Sequence, residues 1–129
     1  MGSGIVTECT KCHDQESYTF GIGMAFWDLD NIITYFPNGV RKKIKELEKQ
    51  YAFEGVSYSY GLFECAHCDT AHSRLSLEIQ YAGDLVYKPQ YKCYECKRNL
   101  KPSSRKVDSF KCRKCCSYEL KEIACFEWD

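Results

Sequence analysis

The sequence predicts an α+β fold that is mostly β, on three observations. In RLSLEIQY (74–81), apolar Leu75, Leu77, Ile79 and Tyr81 alternate with polar Ser76, Glu78 and Gln80, the period-two pattern of a half-buried strand. Val40, Ile44, Leu47 and Tyr51 recur at intervals of four, three and four, the apolar stripe of one amphipathic helix. Four Cys-x-x-Cys pairs, CTKC at 9–12, CAHC at 65–68, CYEC at 93–96 and CRKC at 112–115, hold eight of the ten cysteines. Between them lie short extended segments.

In chain order, SYTFGIGMAF (17–26) reads as an aromatic strand that Gly21 and Gly23 bend. LDNIITYF (29–36) is either a short helix capped by Asp30, carrying Ile33 and Phe36, or an extended run. Pro37-Asn38-Gly39 is a helix start with Asn38 as N-cap, and the helix spans about 39–52, with Gly55 at or just beyond its end. VSYSYGLFEC (56–65) leads into the second CxxC pair. Ala82-Gly83-Asp84 is a turn, and LVYKPQYKC (85–93) is a strand that Pro89 assigns to an edge. KPSSRKVDS (101–109) is a polar loop. SYELKEIACFEW (117–128) is a last strand with Tyr118, Leu120, Ala124, Phe126 and Trp128 on one face, interrupted by Glu122.

Two thiols two residues apart in a tight turn grip one tetrahedral ion, and two such turns complete a four-sulfur site. Four turns make two sites, so the sequence implies two bound zinc ions. A chain of 129 residues buries only a modest core. A structural zinc site adds about 10–16 kcal/mol of apparent binding energy to folding. Disulfides are the alternative staple. The start MGSGIVTEC has neither a basic nor an apolar leader region, and the paired spacing suits chelation rather than cross-linking. Iron in a rubredoxin-like electron-transfer site is the competing metal, since thiolate softness does not separate the two.

The eight expected ligands are Cys9, Cys12, Cys65, Cys68, Cys93, Cys96, Cys112 and Cys115. Pairing is open among sequential, nested and cross-brace arrangements. Sequential pairing is favoured: 93–115 reads C-x2-C-x15-C-x2-C, the spacing of a compact site, and 9–68 repeats the plan around a helical insertion. The chain then divides into two zinc-ribbon-like units, 1–87 with the helix and 88–129 with the C-terminal strand, packed together. His13, His67 and His72 lie near the knuckles and are alternative nitrogen ligands, but complete CxxC pairs make them exposed loop or strand histidines. Cys116 loses to Cys115 on spacing. Cys125 reads as a small apolar core residue. Neither Cys116 nor Cys125 has an identifiable catalytic base. Four thiolates leave a metal no open position, so the sites read as structural and the chain as no enzyme.

Net charge is zero but uneven. Residues 1–87 carry seven basic and twelve acidic side chains, 88–114 ten and two, and 115–129 one and four. The basic segment, threaded with Tyr87, Tyr91, Tyr94 and Phe110, suggests nucleic-acid contact through Lys92, Lys97, Arg98, Lys101, Arg105 and Lys106. The competing reading is stronger: zinc with four thiolates carries a charge of −2, which neighbouring cations balance.

CTKC, the GIGMAF strand, the helix, LFECAHC, RLSLEIQY, YKCYEC and the late CRKC, in that order, resemble a family of small uncharacterised prokaryotic zinc-ribbon proteins. The resemblance implies zinc binding and supplies no activity. Where such knuckles commonly read Cys-Pro-x-Cys-Gly, this chain has Cys-Tyr-Glu-Cys-Lys and Cys-Arg-Lys-Cys-Cys. The expectation is a cytoplasmic, non-enzymatic zinc protein, an interaction or regulatory module with a protein partner and no membrane segment. Nucleic-acid binding and iron electron transfer are the alternatives.

Overall fold

The computed structural model describes residues 2–21 and 29–128. The part of the expected 17–26 strand beyond Gly21 lies outside them. The chain is α+β and mostly β: the described residues form a seven-stranded antiparallel sheet and two α-helices. The strands are β1 (Gly2–Cys9), β2 (Gln15–Gly21), β3 (Phe53–Cys65), β4 (Thr70–Tyr81), β5 (Leu85–Tyr87), β6 (Lys101–Pro102) and β7 (Leu120–Trp128). Their order is β5-β4-β3-β2-β1-β7, with β6 also beside β3.

The alternation in 74–81 does what the pattern dictates. Leu75, Leu77, Ile79 and Tyr81 are buried on one face of β4, under α1 (Leu29–Ile33) and α2 (Asn38–Gln50). Ile32 and Phe36 from the α1 region and Ile44 and Leu47 from α2 complete this core. The ambiguous 29–36 run is thus a short helix at its start. Helix α2 begins at Asn38, with Pro37 in the capping position and no side-chain cap. Asn38 is therefore the first helical residue rather than the N-cap: proline supplies the extended backbone that precedes the helix. Tyr51 is not on the buried stripe. It lies beyond the last turn and is exposed.

Strand β5 forms one edge of the sheet and stops before Pro89, as the missing N–H requires. The polar 101–109 segment is not wholly a loop. β6 pairs with β3, and a 3-10 turn at Val107–Ser109 buries Val107 beside Phe110, Tyr18 and Ala71.

The opening residues are structural. β1 runs through Gly2 and Gly4 and lies between β2 and β7. Gly2 faces Trp128 and Gly4 faces Phe126 in the β1–β7 register. A Cβ at Gly4 would sit 2.1 Å from the Phe126 ring, and one at Gly2 would sit 2.3 Å from Trp128. The aromatic rings of β7 occupy the space the glycines leave. Trp128 Nε1 also donates to the Ser3 and Phe20 carbonyls. Cys125, opposite Ile5 on the outer strand, is exposed and is not a core residue: the described residues leave its face of β7 uncovered, as they do most of the side chains of that strand.

Candidate metal centres

Each CxxC pair is the tip of a turn built the same way. The backbone N–H of the fifth residue donates to the carbonyl of the first cysteine: His13 to Cys9 at 2.8 Å, Asp69 to Cys65 at 2.8 Å, Lys97 to Cys93 at 3.1 Å and Cys116 to Cys112 at 2.9 Å. All four fifth residues have left-handed backbone, with φ of 63° at His13, 55° at Asp69, 64° at Lys97 and 61° at Cys116. This is the position where glycine is cheapest. It explains Cys116: the residue closes the turn, its side chain is exposed, and it lies outside both cysteine clusters.

The pairing is nested. Cys9, Cys12, Cys112 and Cys115 form one cluster, and Cys65, Cys68, Cys93 and Cys96 form the other. The sequential arrangement is overturned by strand pairing. β7 runs antiparallel to β1 with Leu120 opposite Cys9, and Thr10 N–H donates to the Glu119 carbonyl at 2.9 Å. The fourth knuckle, just before β7, is thereby carried to the first. β6 sets Lys101 opposite Glu64, which carries the third knuckle to the second. The strands following both late knuckles belong to the same sheet as β1–β5.

Sulfur spacing fits a metal. Cys9–Cys115 is 3.5 Å, Cys12–Cys112 3.6 Å, Cys65–Cys96 3.5 Å and Cys68–Cys93 4.0 Å. Metal–sulfur bonds of about 2.3 Å in a tetrahedron put sulfurs about 3.8 Å apart, whereas a disulfide needs about 2.05 Å. In every pair the first cysteine is buried and the second half-buried. Each four-cysteine group is therefore placed to hold one metal ion, and four sulfurs fill a tetrahedral shell.

Local donors act on the sulfurs. The Ser117 hydroxyl lies 3.0 Å from Cys115 Sγ and 3.4 Å from Cys9 Sγ. Hydrogen bonding from Ser117 holds the Cys9 thiol down at about 6, helped by the Cys12 backbone, and lowers Cys115 as well. Burial, then the neighbouring thiols Cys96, Cys65 and Cys93, push Cys68 up to about 12. Without a metal, like charges keep four thiols from ionising together. A bound cation removes that conflict and releases the protons.

His72 is the functional side chain that the sequence misplaced. His13 and His67 are exposed as expected, but His72 is buried, 1% exposed. Its Nε2 lies 3.0 Å from Thr70 Oγ1 and 3.8 Å from Cys93 Sγ. Its Nδ1 lies 3.5 Å from Arg113 Nη1. A guanidinium only donates, so Nδ1 accepts and the ring proton sits on Nε2, toward Thr70 and the Cys93 sulfur. Burial and then the Arg113 charge lower its pKa to about 4. His72, Cys93 and Glu95 also approach one another closely enough to share an ion. Since Cys93 already belongs to a complete four-sulfur group, His72 acts as a hydrogen-bond partner of that sulfur. Alternation along β4 could not have found it: His72 has the parity of Ser76, Glu78 and Gln80, opposite Leu75 and Leu77, and it is buried because Cys93 and Arg113 of the third and fourth knuckles lie against it.

Of the six expected nucleic-acid contacts, Lys92 and Lys97 line one cleft, Arg105 and Lys106 line another, and Lys101 and Arg105 flank Glu64. Arg105 is 2.8 Å from Asp69 and 3.2 Å from Glu64, and Lys101 is 3.7 Å from Glu64. Lys106 lies at a shallow depression with Asp108 and Glu122, and Arg98 is exposed in the third knuckle's turn. Lys92 and Lys97 border a separate cleft. Among the described residues, no helix is long and apolar enough to cross a membrane. No protein-family model matches the chain, and no curated protein or solved structure does so either.

Proposed function

We propose that this chain is a non-enzymatic binding module stapled by two structural zinc ions, as its resemblance to small zinc-ribbon proteins implies. One ion would be held by Cys9, Cys12, Cys112 and Cys115, the other by Cys65, Cys68, Cys93 and Cys96. The observation that carries this is the spacing of 3.5–4.0 Å between sulfurs of different knuckles in both groups. It suits zinc, and four thiolates leave no coordination position for a substrate or water. The ions tie the chain's last knuckle to its first and its third to its second. Partner contacts then fall to the surfaces between the metals.

Elemental analysis of protein purified under reducing conditions tests the proposal. Two zinc ions per chain and a colourless solution are expected. One ion, a coloured iron form, or disulfides that persist in reductant would contradict it.

A further inference from the structure

Beside the second cluster, a cleft of about 590 Å³ opens between the start of α2 and the third knuckle. We propose that it binds an aromatic base carrying a phosphate, supplied as a free nucleotide or as one unit of a single strand. The volume falls within the range of small-ligand sites, about 300–1,000 Å³. Arg74, Lys92 and Lys97 line it, and no Asp or Glu does. Among the described residues, none of these three cations lies within ion-pairing distance of a carboxylate, unlike Lys101, Arg105 and Arg113.

Arg74 is held ready. Its guanidinium carbon lies 4.0 Å from the centre of the Tyr94 ring, and Nη2 donates to the Lys92 carbonyl at 2.8 Å. A guanidinium fixed by stacking loses little freedom when it grips a phosphate. Lys97 is pinned by a 3.0 Å hydrogen bond to the Tyr94 carbonyl. The opposite wall includes the capping Pro37 and, in the first turn of the thirteen-residue α2, Val40; the helix has neither a side-chain cap nor an acidic residue in that turn. Its positive dipole end adds to the field at the cleft.

Two lining tyrosines remain largely exposed, Tyr35 at 58% and Tyr94 at 60%. Tyr35 offers its ring to a base, and Tyr94 offers the exposed part of the ring that Arg74 does not cover; stacking on such a ring is worth about 1–3 kcal/mol. Cys93 also borders the cleft. A zinc tetrathiolate there would contribute a charge of −2, and Glu95, 3.2 Å from the Cys93 sulfur, adds a further −1, so the three cations balance the negative charge around them rather than exceed it. The site therefore suits one or two phosphates rather than a long polyanion, and affinity should fall with a log–log salt slope of roughly −0.7 to −1.4.

The inference rests on the chain being a binding module, and zinc content measured on the same samples separates the two proposals. Full-length zinc-loaded protein is titrated with uridine and adenosine monophosphates, with an eight-nucleotide oligouridine, and with an oligoglutamate of equal charge. Binding of a monophosphate or of the strand is expected, weakened roughly ten-fold or more by Tyr94→Ala and by Arg74→Ala. Tyr35→Ala, on the other wall and away from the knuckle, should weaken it similarly, while Lys106→Ala should leave it unchanged. If monophosphate competes fully with the strand, the ligand is the free nucleotide; if only the strand binds, it is a single strand. Two zinc ions with no binding of either would overturn the cleft proposal and leave the metal proposal standing. Binding that ignores Tyr94→Ala and Tyr35→Ala, or oligoglutamate binding as tight as the strand, would overturn it as well.

Discussion

Arg113, between the two cysteines of the fourth knuckle, sets Nη1 3.5 Å from Nδ1 of His72, whose Nε2 lies 3.8 Å from the Cys93 sulfur in the other cluster. The same guanidinium is 2.8 Å from Glu16 on β2. A single side chain therefore reaches from one cysteine cluster to the outer partner of the other. Arg113→Ala removes a half-buried ion pair and leaves Glu16 without its counter-charge. A loss of roughly 1–3 kcal/mol is expected, read by denaturant unfolding of the metal-loaded protein. No loss would mean that the bridge is incidental.

His72 stays neutral because burial and then Arg113 oppose its charge. Its folded pKa of about 4 lies below the ordinary 6.5. The unfolded chain then takes the proton first, so this residue's contribution to stability is constant above about pH 6.5 and falls as pH drops toward about 4. The imidazole resonances of His72, followed by NMR, should keep their neutral positions as the pH falls below the ordinary 6.5. A midpoint near 6.5 would contradict the buried hydrogen-bonded geometry.

Cys116 occupies a left-handed position, φ 61°, with its side chain exposed. A left-handed non-glycine residue costs on the order of 1–2 kcal/mol, and glycine's extra freedom in the unfolded chain offsets part of the relief. Cys116→Gly should leave metal content at its wild-type value and raise stability by about 0.5–1 kcal/mol. Loss of an ion in this variant would mean that Cys116, not its neighbour, is the ligand.

Local patterns in the sequence carried much of the fold. Leu75, Leu77, Ile79 and Tyr81 marked β4, and Val40, Ile44 and Leu47 marked α2, because period and burial coincide there. The cysteine ligands were legible as knuckles for the same local reason. Their partners were not. Whether Cys9 meets Cys65 or Cys112 depends on β7 lying against β1, a pairing of residues more than a hundred positions apart. That pairing was hidden because β1 looks weak as a strand: its Gly2 and Gly4 have no side chains, and the filling rings come from Trp128 and Phe126. Cys125 misled because alternation says which residues share a face but not which face is covered. Cys116 looked like a spare ligand until the left-handed turn gave it a backbone role.

The nested pairing of four thiolates around each of two ions is the claim on which the rest depends. The most direct test replaces zinc with cadmium-113 and correlates each metal resonance with the cysteine β-protons. Two resonances are predicted, one coupled to Cys9, Cys12, Cys112 and Cys115 and the other to Cys65, Cys68, Cys93 and Cys96. A single resonance, couplings from fewer than four cysteines to either ion, or coupling that joins Cys9 and Cys12 with Cys65 and Cys68 would contradict it.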